Sequence, residues 1–131
     1  MDLLEIESII KKQLSIKVPK LLQNAYPNIS FCTEISDKVS KFPNVYIHAM
    51  GIPETGNSIP NNVIHAIRPT IQIDVQTNTS KDDCMRVANA CVYAMKSLQF
   101  STIIAGTAKE NNMHRCIITA SRVIANGDEF N

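Results

Sequence analysis

The sequence lacks a long apolar run, an excess of charge of either sign and any close pair of cysteines, and each absence removes a class of function. Its uninterrupted apolar stretches are a few residues long, against the roughly 20 needed for a helix to cross a bilayer, so no membrane role is expected. Thirteen Lys and Arg face twelve Asp and Glu for a net charge of +1, and no short window is dominated by basic residues, so the footprint of a nucleic-acid-binding surface is missing. The cysteines Cys32, Cys84, Cys91 and Cys116 contain no C-x2-C pair of the kind zinc sites and redox motifs use. Cys84 and Cys91 fall two helical turns apart and read as buried apolar thiols in a reducing compartment. Gly106 and Gly127 stand alone, without a phosphate-cradling loop around them. The first twelve residues place Asp2, Glu5 and Glu7 before Lys11 and Lys12, the reverse of a signal peptide, and predict a protein that stays where it is made.

What is present is globular composition: 44% apolar and 19% charged residues in 131 positions, enough to close one hydrophobic core and suited to a single domain. Leu3, Leu4, Ile6, Ile9, Ile10 and Leu14 recur at three- and four-residue steps and predict an amphipathic helix that Pro19 ends or kinks. Alternation over 29–35 predicts a strand, 45–50 a second, and 52–62, rich in proline and asparagine, a loop or extended arm. Val63, Ile67, Ile71, Ile73 and Val75 take one parity, and Arg68, Thr70, Gln72, Asp74 and Gln76 the other, which predicts a long strand with one dry and one polar face. Ser80 and Asp83 form a capping box before a helix whose stripe is Cys84, Val87, Ala88, Cys91, Met95 and Leu98. Residues 102–108 and 115–125 read as a hairpin around 109–112. The predicted fold is therefore α+β: a mainly antiparallel sheet in one domain, with helices on one face and the other face partly polar.

Chemistry is sparse. His48, His65 and His114 lie far apart, each within or beside a strand, and read as surface or interface residues rather than a metal triad. Cys84 with His114 is the one conceivable thiol and base, set against the ordinary inertness of a cysteine on a helix stripe. Asp82 and Asp83 are explained by the charge preference of a helix N-terminus. No catalytic group, metal or cofactor is predicted. The unusual features are the arm, with Ile52, Pro53, Glu54 and Ile59, and the polar strand face, with Arg68, Gln72, Asp74 and Gln76. That face is either simply solvated or a subunit interface.

The segments 41–47 (KFPNVYI), 51–56 (GIPETG), 71–78 (IQIDVQTN), 95–98 (MKSL) and 122–128 (RVIANGD) resemble phage tail completion proteins, which are similar in turn to the tail terminator fold of lambda-type phages. The resemblance covers residues 40–128, with the first helix fitting by pattern. It implies a homo-oligomeric ring, a hexamer in most relatives, that caps the head-proximal end of the tail tube, stops its growth and docks the neck. The implied partners are further copies of the chain, the tail tube protein and neck or connector proteins, with DNA passing close by in the lumen. The implied location is the virion tail, after assembly in the host cytoplasm. Two alternatives stand beside it: a neck or head-completion ring protein, and a small ligand-binding or enzymatic α+β domain.

Overall fold

The computed structural model describes residues 3–34, 41–50, 54–55 and 66–125. The first helix, α1 (Leu3–Leu21), buries Ile6, Ile10, Leu14 and Val18 completely, a strict four-residue repeat down one face. Leu4, expected in that stripe, is 75% exposed instead, because it falls off the four-residue row. The helix runs through Pro19 and stops two residues later. Near a C-terminus the N–H that proline lacks costs one hydrogen bond rather than the helix. The Pro19 carbonyl then accepts from Asn24 N at 2.9 Å, with Gln23 and Asn24 both at positive φ.

Five strands follow in the main sheet: β1 (Ser30–Cys32), β2 (Asn44–Met50), β5 (Thr70–Thr77), β6 (Ser101–Glu110) and β7 (Met113–Ser121), ordered β1-β2-β5-β7-β6. All neighbours are antiparallel except β1 with β2, which run parallel. A separate three-stranded ribbon joins β3 (Glu54–Thr55), β4 (Ala66–Ile67) and β8 (Ile124–Ala125). The long strand expected from residue 63 onward is thus interrupted. Buried Pro69 has no N–H for a ladder, so the chain leaves β4 and re-enters the main sheet at Thr70. Part of the expected loop at 52–62 is also strand, since Glu54 and Thr55 pair with Ile67 and Ala66.

The core is set by register. Across β2, β5 and β7 the rows Val45–Val75–Cys116, Ile47–Ile73–Ile118 and Ala49–Ile71–Ala120 face the same way, and all nine residues are buried. Both helices lie on that face, α1 over β1 and β2 and α2 (Lys81–Ser97) over β5, β7 and β6. The inner stripe of α2 is Cys84, Val87, Ala88, Cys91, Ala94 and Met95, and its small residues let the helix sit close to the sheet. Ser80 caps the helix by accepting from Asp83 N at 3.1 Å, an interaction worth about 1 kcal/mol. At the other end Phe100 N and Gln99 N donate to the carbonyls of Met95 and Lys96, a Schellman closure with Gln99 in the left-handed region at φ 67°. The β6–β7 hairpin is tighter than expected. Only Asn111 and Asn112 form the turn, both at positive φ, as a two-residue type I′ connection requires.

Candidate functional site

Among the described residues, both helices pack on one face of the main sheet, and the alternate residues of each strand line the other, the face left uncovered by helices. By register, Tyr46, Asp74 and Ile117 form one row and His48, Gln72 and Thr119 the next. Gln76 stands beside Arg115, and β6 adds Ile103 next to Thr119 and Gly106 next to Ile117. At the centre Asp74 is only 4% exposed, although it stands on the face without helices. Arg115 of the adjacent strand takes both its carboxylate oxygens. The guanidinium Nε donates at 3.3 Å to Oδ1, and one terminal amino group binds Oδ2. That two-point grip, with the hydrogen bond foremost, holds the Arg115 guanidinium above even its ordinary pKa. Asp74 is therefore satisfied within its own chain.

Beside the pair, the rings of Tyr46 and His48 stack with centroids 5.9 Å apart. Burial, followed by the negative field of Glu7, pushes the Tyr46 phenol up from its usual range. Glu7 itself reaches from α1 to the rim of β2, where its Oε2 accepts from Ala49 N at 2.8 Å and lies 3.7 Å from His48 Nδ1.

The residues singled out in the sequence do not all stand together. Gln72 and Gln76 lie on the uncovered face, half-buried, with Asp74 between them. Arg68 is exposed but precedes β5 and does not stand on it, a consequence of the break at Pro69. Glu54 belongs to β3, in the ribbon, while Ile52, Pro53 and Ile59 lie outside the described residues. Sequence reasoning missed Arg115, Tyr46 and Ile117. Part of their signal was available, since Cys116, Ile118 and Ala120 share one parity, but Met113 and Ile117 blur the alternation of 113–121, and the partner of Asp74 is fixed by cross-strand register and not by spacing along the chain.

The thiol and base pairing considered for Cys84 and His114 is not formed. Cys84 Sγ points at the backbone carbonyls of Val75 and His114, at 3.4 and 3.5 Å. Desolvation pushes its pKa up to about 11, the opposite of what a nucleophile needs. Cys91 is pushed further, to about 12, by the same cause. Among the described residues no three His, Cys, Asp or Glu side chains gather closely enough to hold a metal ion. A cleft of about 230 Å³ between the start of α2 and the hairpin is lined by Lys81, Met85, Thr107, Lys109 and His114, among others.

No protein-family model matches the chain, and no curated protein does. Among solved structures it is similar to a chain described as "Virion of native gene transfer agent (GTA) particle", with a TM-score of 0.60 and 11% identity. That alignment covers 88% of this chain and 91% of the other. At such identity the likeness shows a shared fold.

Proposed function

We propose that this chain is a structural subunit of a phage-like virion, assembling into a ring that caps the head-proximal end of the tail tube and receives the neck. The observation that carries this reading is the fold shared, over nearly the whole of both chains, with a chain of the gene transfer agent virion. The sequence resemblance to tail completion proteins supports the narrower position at the tail end. In this reading the partners are further copies of the chain, the tube protein and the neck proteins. The chemistry is that of surfaces, which need no cofactor. The uncovered sheet face, with Gln72, Gln76, Tyr46 and His48 around the Asp74–Arg115 pair, is the contact surface proposed, and exposed Arg68 at the foot of β5 lies at its margin.

Electron microscopy of the purified protein, alone and mixed with tail tubes, tests the reading. Rings of one diameter seated at a single end of the tube are expected, and rings on isolated connectors in place of tubes would move the protein to the neck. Arg68→Glu should abolish ring seating or closure while leaving the melting temperature unchanged, because an exposed substitution alters stability by only about 0.5 kcal/mol. Normal rings from that variant would remove Arg68 from the interface.

A further inference from the structure

The two edges of the main sheet are treated differently. On one side the edge is closed. Strand β1 is three residues long, and past its end the N–H of Ala49 on β2 is taken by the Glu7 carboxylate at 2.8 Å. Short strands and charged groups turned onto the backbone are the usual ways in which sheets avoid pairing with other chains. On the other side β6 runs for ten residues, and among the described residues its only neighbour in the sheet is β7. Residues 101–108 contain no charge and no proline, and every residue of the strand except Thr102 is exposed. Ile103 is 69% and Ile104 38% exposed, and as sequential residues they face opposite sides of the sheet. A bulge at Ala105, between Ile104 and Gly106, bends the strand there and divides its edge into the segments 101–104 and 106–110.

From this asymmetry we infer that β6 is a self-pairing edge, along which a second copy of this chain lays its own β6 antiparallel, joining the two sheets into one. Charge selects both the partner and the direction. Antiparallel about the bulge at 105–106, each copy sets Lys109 beside the uncharged Thr102 of the other and Glu110 beside its Ser101, and Ile103 opposite Ala108. A parallel arrangement in register would stack Lys109 on Lys109 and Glu110 on Glu110, which is unfavourable across a ladder. Such a contact is isologous and joins copies in pairs, whereas a closed ring needs a head-to-tail surface elsewhere. The pairing therefore goes beyond the ring reading, and either can fail alone.

A charge swap on the full chain tests it, read by light scattering behind size exclusion. The variants are Ile103→Lys with Ala108→Lys, and Ile103→Glu with Ala108→Glu, all at exposed positions. The antiparallel contact brings 103 and 108 of the two copies close together on one face, so each variant alone should show half the mass of the wild type under the same conditions. An equimolar mixture of the two should recover the wild-type mass, with salt weakening that recovery. A mass shared by the wild type and both variants, or a mixture no heavier than its parts, would overturn the inference. Ala105→Cys gives a second measure that leaves strand and charge intact. Oxidation should link two copies through this position near the two-fold axis, and failure to link beyond the wild-type background counts against the pairing.

Discussion

The Asp74 carboxylate shows how far a single residue's environment can depart from its place in a pattern. Alternation puts Asp74 on the polar parity of β5, yet it is buried, held by Arg115 from the next strand. Removing one member of a buried pair leaves the other charge without compensation. Arg115→Met should cost about 2 kcal/mol in urea unfolding, less than a fully enclosed pair because the guanidinium is part-exposed. The double variant Asp74→Leu with Arg115→Met should recover most of that loss, and additive losses would show that the two side chains act independently. Asp83 offers a second test, through pH. Hydrogen bonds from the hydroxyls of Thr79, at 2.6 Å, and Tyr26, at 2.7 Å, hold its carboxyl below the ordinary 3.8. A lowered folded-state pKa gives stability that is fully present above the unfolded value and is lost as pH falls through the folded one. Wild type should therefore lose stability as acid is added below about pH 4, and Asp83→Asn should show a shallower acid-side slope in melts across that range.

At the scale of elements, helix ends and strand parity were legible where local chemistry decides them. Ser80 with Asp83 marked the start of α2 to the residue, and the stripe from Cys84 to Leu98 is buried as its spacing predicts. Where a single backbone group decides, the pattern misled. Pro69 splits the expected long strand by withholding one N–H, and Pro19 failed to end α1 because it sits in the last turns. The C-terminal closure of α2 is a further case. Its left-handed position is filled by Gln99 at φ 67°, where a residue with a Cβ is strained and glycine is not. Gln99→Gly should raise stability by about 0.5–1 kcal/mol, read as a higher melting temperature with an unchanged oligomer mass. A lower melting temperature would mean that the Gln99 side chain makes a contact worth more than the strain.

For the whole molecule, the α+β class, the helices on one sheet face and the partly polar opposite face could be read from period and parity. The candidate surface was less legible. Gln72 and Gln76 were found because they share a strand, while Tyr46, Arg115 and Ile117 join them only through pairing between segments far apart in sequence. The same non-local pairing has a consequence for the newborn chain. The middle strand, β5, is flanked by β2, made before it, and by β7, which emerges from the ribosome more than thirty residues later. Until β7 is synthesised, one side of β5 has no partner, and the rows through Val75, Ile73 and Ile71 lack their Cys116, Ile118 and Ala120 ends. Folding of the core thus waits on the last long strand to be translated, and a chain stalled at the Asn111–Asn112 turn would present the centre of its sheet, rather than its margin, to other nascent chains.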